Sequence, residues 1–90
     1  MTFRDYISWY KKMVVEELQN SLTYRIIIET IHNAYTDTFI VFLVDERTDN
    51  RFKYTIDNFT EELCHGLDLQ TIVGTIIYKY KAYILKQFFR

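Results

Sequence analysis

The chain has 90 residues, room for one domain with a modest core and too few for two. Hydrophobic residues make up 49 %, aromatic residues 18 % and charged residues 26 %, a balance that excludes a disordered or fibrous chain. The formal net charge of -1 argues against a strong nucleic-acid binder, which carries a basic excess.

Thr2 suits a helix N-cap, and Asp5 three positions on makes a capping-box pattern. Phe3, Tyr6, Ile7, Tyr10, Met13, Val14 and Leu18 then recur at helical spacing and predict a helix from Phe3 to Gln19. Lys12 and Glu16 lie one turn apart on its wet side, and Asn20-Ser21 ends it. Leu22 to Ile31 fits either a strand or a helix. The adjacent β-branched residues Ile26, Ile27 and Ile28 favour a strand, with Tyr24, Ile26 and Ile28 on one side and Ile27 and Ile31 on the other. Thr38 to Val44 is a continuous apolar run and predicts a strand buried on both faces. Asp45 to Asn50 reads as a solvated hairpin turn. In Arg51 to Ile56, Phe52, Tyr54 and Ile56 point inward while Arg51, Lys53 and Thr55 point outward.

Asn58 and Glu61 make a second capping-box pattern for a short helix from Phe59 to His65, and Gly66 suits a left-handed C-terminal position. Asp68 then caps a last helix from Leu69 to Phe89. The expected class is α+β, one domain over residues 1–90 in the order α-β-β-β-α-α. Its helices pack on one face of a three-stranded antiparallel meander whose second strand is central.

The last helix carries two apolar faces. At about 100° per residue, Leu69, Ile72, Val73, Ile76, Ile77, Tyr80, Tyr83 and Ile84 share the face that should meet the sheet. A second series, Thr71, Thr75, Tyr78, Ala82, Leu85 and Phe89, lies roughly 160° away at coiled-coil spacing. Either the first helix or the short helix covers this series, or a partner does. Trp9 lies about 100° off the main stripe of the first helix and is a further anchor. The candidate partner-binding residues are therefore Trp9, Tyr78, Ala82, Leu85 and Phe89.

Charge is unevenly spread. Seven acids fall between Asp45 and Asp68, whereas Lys79, Lys81, Lys86 and Arg90 end the chain without an acidic side chain. The basic end either answers the helix dipole or forms a contact patch. A nucleic-acid-binding alternative would use Arg51, Lys53, Lys79, Lys81 and Lys86.

No reactive constellation stands out. Cys64 is the single cysteine, so no internal disulfide forms, which fits a reducing compartment and a cytoplasmic location. Cys64 beside His65, with His32 distant, reads as a buried structural thiol and surface imidazoles. One cysteine and two histidines do not make a zinc site, and the acidic Asp45 to Asn50 loop lacks the glycine of a calcium loop. Glycine occurs only at Gly66 and Gly74, so there is no phosphate-cradling loop; Gly74 should mark a close approach within the last helix. No basic-then-apolar leader is visible, and no apolar run approaches the roughly 20 residues of a membrane span. The expectation is a protein without enzymatic activity, metal or cofactor.

Thr2-Phe3-Arg4-Asp5-Tyr6, the join Tyr54-Thr55-Ile56-Asp57-Asn58-Phe59, and Gly66-Leu67-Asp68-Leu69 with Ile72-Val73 resemble a family of uncharacterised domains from gut Firmicutes. The likeness spans about a third of the residues and implies the fold but no activity. The chain departs from that family in lacking a glycine in the first turn, His32 to Asp37, and in omitting a further region. The α-β-β-β-α order is also similar to double-stranded-RNA-binding domains. Those carry a lysine cluster where this chain has Asp68-Leu69-Gln70-Thr71, so that family is rejected.

The expected function is a small protein-interaction module. Its element order is similar to phage anti-CRISPR inhibitors, which suggests a phage or mobile-element inhibitor of a host protein. A nucleic-acid binder and a self-assembling dimer joined through the last helix are the alternatives.

Overall fold

A computed structural model describes residues 2–22 and 25–88. Along the chain lie helix α1 (Phe3–Ser21), strands β1 (Ile26–Asn33), β2 (Thr38–Asp45) and β3 (Arg51–Ile56), then helices α2 (Phe59–Cys64) and α3 (Leu69–Phe88). The strands form one antiparallel sheet in the order β1-β2-β3. The expected α+β meander and the place of each element are thus observed.

Local chemistry explains most of the boundaries. The Thr2 hydroxyl accepts the Asp5 backbone N–H at 3.1 Å, and the Asp5 carboxylate accepts the Thr2 backbone N–H at 3.3 Å, closing the capping box of α1. Asp68 caps α3 by accepting the Thr71 N–H at 2.7 Å. That bond holds the Asp68 carboxyl below the ordinary carboxylate range. Gly66 takes a left-handed φ of 87°. There the Leu67 N–H reaches the Glu62 carbonyl and the Gly66 N–H reaches that of Leu63, a Schellman stop for α2.

Strand β1 begins and ends later than the Leu22 to Ile31 expectation. Arg25 stands at a φ of 70°, which breaks extended backbone just before Ile26. At the far end the pairing runs on to Asn33↔Thr38. The Asn33 side chain accepts the Tyr35 N–H at 3.0 Å and shapes the turn. Tyr24 lies outside the described residues.

The start of α2 departs from expectation more sharply. Asn58 is left-handed and makes no side-chain cap, so the Asn58–Glu61 capping box does not form. Asp37, in the turn between β1 and β2, caps the helix instead. Its carboxylate accepts the Thr60 backbone N–H and the Thr60 hydroxyl, each at 2.8 Å. His32 Nε2 bonds the same carboxylate at 3.1 Å, and the Phe59 N–H reaches the Asp37 carbonyl at 2.9 Å. A six-residue helix cannot hold itself in water, so α2 depends on this clamp and on Phe59. Phe59 is fully buried, stacked on Phe39 at 4.5 Å and edge-on to Tyr10 at 5.4 Å.

The core lies between one face of the sheet and the two long helices. Helix α1 contributes Ile7, Tyr10, Val14 and Leu18, and α3 contributes Ile72, Val73, Ile76 and Tyr80. The sheet supplies Ile28, Phe39, Val41 and Leu43, with Phe52, Tyr54 and Ile56 packed beside them. Each fully buried large side chain contributes roughly 1.5–3 kcal/mol relative to exposure. Helix α1 packs on β1, α3 packs on β3, and the helices touch each other. They run in the same direction: Tyr10 feels the charge of Asp68 at the start of α3, while Leu22, just past α1, lines a groove with Ile84 and Leu85.

Several residues depart from the sequence reading. Phe3 is exposed rather than part of the α1 stripe. Cys64 is exposed, because α2 turns it away from Phe59. His32 is largely buried between Phe59 and Asp37 rather than on the surface. Gly74 faces open space, with nothing within 4 Å of where a Cβ would stand, so it marks no close approach.

Candidate interaction surface

Strand β2 is buried on one face only, which corrects the two-sided expectation. The antiparallel register sets three rows of side chains on the face away from the helices. These are Ile27–Val44–Arg51, Glu29–Phe42–Lys53 and Ile31–Ile40–Thr55. Directly opposed side chains in such rows have Cβ atoms about 4.5–5.5 Å apart, so the five apolar residues form one continuous patch. Ile27 is 44 % exposed and Ile31 45 %, while Ile40, Phe42 and Val44 are half-buried by their neighbours alone. The described helices pack on the opposite face, so no described element covers this one.

The patch has an electrostatic direction. Glu29 stands on the β1 edge, and Arg51 and Lys53 stand on the β3 edge. Arg51 lies 3.5 Å from Asp49, with both side chains largely in solvent. Phe42 sits between the two signs of charge.

The sequence-derived site residues fall elsewhere and do not form one site. Tyr78 is 76 % exposed and Leu85 56 %, and Ala82 between them is half-buried, so the second face of α3 stays largely open. Thr75 on the same series is half-buried and donates its hydroxyl to the Thr71 carbonyl at 2.9 Å. Phe89 lies outside the described residues. Trp9 is 45 % exposed, with Tyr6 as its ring neighbour at 5.8 Å. Since Tyr10 lies toward the start of α3, Trp9 and Leu85 belong to opposite ends of that helix. Along the axis, Asp68 and Leu85 are about 25 Å apart.

Leu85 also lines an open groove of about 480 Å³ with Leu22, Ile26, Tyr80, Ile84 and Asp45. Asp45 is buried, contrary to a solvated turn, because it organises the hairpin. Its carboxylate accepts the Arg47 backbone N–H at 2.9 Å, and that bond holds its pKa below the ordinary range. Burial, and then the Asp45 charge, push the Tyr80 phenol upward.

The basic residues proposed for nucleic acid are divided by the fold. Arg51 and Lys53 point away from the helical layer, whereas Lys79, Lys81 and Lys86 project from α3 on the other side of the sheet. They make no common track for a phosphate backbone.

Among the described residues, His32, Asp37 and Thr60 bring a histidine, a carboxylate and a hydroxyl into one polar cluster. Both the imidazole and the hydroxyl bond the carboxylate, so neither activates the other as a nucleophile–base pair would. Burial raises the Asp37 pKa, but the His32 and Thr60 hydrogen bonds outweigh it and hold the group below its usual value. Among the described residues no three His, Cys, Asp or Glu side chains gather as metal ligands, and no helix is long and apolar enough to cross a membrane.

No family model, curated protein or solved structure matches the chain. The open sheet face was half legible in advance: Ile27 and Ile31 were expected on the side away from Ile26 and Ile28. What would have completed it is arithmetic. Two long helices cover one face of three strands and leave nothing for the other.

Proposed function

We propose that this protein is a non-enzymatic protein-interaction module that docks through the open face of its sheet. The observation that carries this reading is the continuous patch of Ile27, Ile31, Ile40, Phe42 and Val44 left bare by every described element. Folded monomers rarely leave such patches without a use, and charged rims around an apolar centre are the usual anatomy of an interface. Tyr78, Ala82 and Leu85 form a separate, narrower strip on α3, on the other side of the sheet from this face.

A nucleic-acid platform needs several exposed rings on which bases stack. This face holds one, Phe42, among aliphatic neighbours that cannot stack, and the chain carries a net charge of -1. The protein reading is therefore favoured.

The test is a photo-cross-linking amino acid placed at Phe42, with Glu16 on the wet side of α1 as control, in cells expressing the chain. A discrete polypeptide adduct is expected at position 42, absent at position 16, and lost when Ile31→Lys is added. No adduct at 42, or equal labelling at 16, overturns the reading.

A further inference from the structure

We infer that the occupant of the open sheet face is a second copy of this chain, related by a two-fold axis running parallel to β2. The inference rests on the docking role proposed above and adds the partner and its geometry.

The charge pattern selects both. Two sheets packed face to face about an axis along the strands exchange their edges: β1 of one copy lies over β3 of the other, and β2 lies over β2. Each row then meets itself reversed. Glu29–Phe42–Lys53 faces Lys53–Phe42–Glu29, so both copies place Glu29 opposite Lys53 around a central pair of Phe42 rings. Ile27 comes over the stem of Arg51, and Ile31 over Thr55, while Val44 and Ile40 meet their own counterparts. Turning the axis across the strands would instead stack β1 on β1, opposing Glu29 to Glu29 and Lys53 to Lys53. The rows thus favour one of the two aligned arrangements open to a sandwich. Among the described residues neither Glu29 nor Lys53 has an ion-pair partner within its own chain.

The size of the face sets the affinity scale. Three strands at about 4.8 Å and seven residues at about 3.3 Å give a plan near 14 by 23 Å. Two such faces with their side-chain relief bury on the order of 1,000 Å², the lower limit for a specific interface. Interfaces at this limit include weak, transient ones, so the test extends to millimolar concentration.

The experiment is sedimentation equilibrium on the full chain, from about 10 μM to 1 mM, under reducing conditions so that exposed Cys64 cannot cross-link. The native chain should rise from its 11.0 kDa monomer mass toward twice that value. E29K alone sets Lys against Lys at both sites, and K53E alone sets Glu against Glu. Each should weaken association by about tenfold to a hundredfold. An equimolar mixture of the two variants places opposite charges at both sites and should restore the dimer as a heterodimer, as should the double variant E29K/K53E. A native chain that stays at 11.0 kDa up to 1 mM overturns the inference, as does a mixture that fails to rescue. If that happens while position 42 still cross-links to a different polypeptide, the docking role survives and only the second copy is lost. Competition of the dimer by a single-stranded RNA oligomer would also overturn it.

Discussion

Removing the Asp37 carboxylate should loosen α2 first and then lower the melting temperature of the whole protein. Asp37→Ala deletes the acceptor for the Thr60 N–H, a cap worth about 1 kcal/mol, and a charge-assisted bond to the Thr60 hydroxyl and His32 of similar size. It also places alanine at a φ of 51°, where a Cβ without a polar side chain costs about 1 kcal/mol more. The total is roughly 2–3 kcal/mol, or a fall of about 10–20 °C for a domain of this length. Asp37→Asn tolerates the same φ and keeps one acceptor for the Thr60 N–H. It should lose about 1 kcal/mol. Circular-dichroism melts measure the global effect, and hydrogen exchange of the Thr60 amide measures the local one. The pH dependence has a defined sign. The Asp37 pKa is lowered in the fold, so its contribution is complete above the unfolded value near 4 and is lost as pH falls through the folded value. The gap between native and Asp37→Asn melts should therefore stay constant above about pH 5 and close progressively as the pH falls below about 4. Asp45 and Asp68 also titrate low, but they do so in both proteins and cancel in the difference. An Asp37→Ala protein that melts with the native one and protects Thr60 equally would refute the clamp.

Three further substitutions probe the fold. Gly74→Ala should raise stability by about 0.5–1 kcal/mol, since the site is open and helical, and a lower melting temperature would contradict it. The Tyr10 hydroxyl is buried with no hydrogen-bond partner among the described residues, so Tyr10→Phe should be neutral or stabilising by about 1 kcal/mol in urea titration. Loss of stability there would show that the hydroxyl has a partner. Leu85→Asp should change stability by less than about 0.5 kcal/mol because the side chain is exposed, and an unfolded variant would return this strip to the core.

Several features were legible in the chain because they depend on near neighbours. The capping box at Thr2 and Asp5, the left-handed Gly66, the Asp68 cap and the period-two alternation of Arg51 to Ile56 involve residues within a few positions of one another. Their hydrogen bonds and side-chain directions follow from local backbone geometry, and all four are present in the fold. The core face of α3 was legible for the same reason, since helical spacing brings Ile72, Val73, Ile76 and Tyr80 together.

Tertiary structure decided what depended on distant partners or on counting layers. Asp37 caps a helix 22 positions further along, and nothing near Asn58 reveals that its own side chain stays out of the bond. Local patterning also cannot say how many apolar faces the remaining elements will cover. The run Phe39 to Val44 is equally apolar on both sides, yet the two long helices lie on one of them. Which face is left open, and which charges rim it, depends on strand register and helix placement, because those long-range contacts alone set what lies above each side chain.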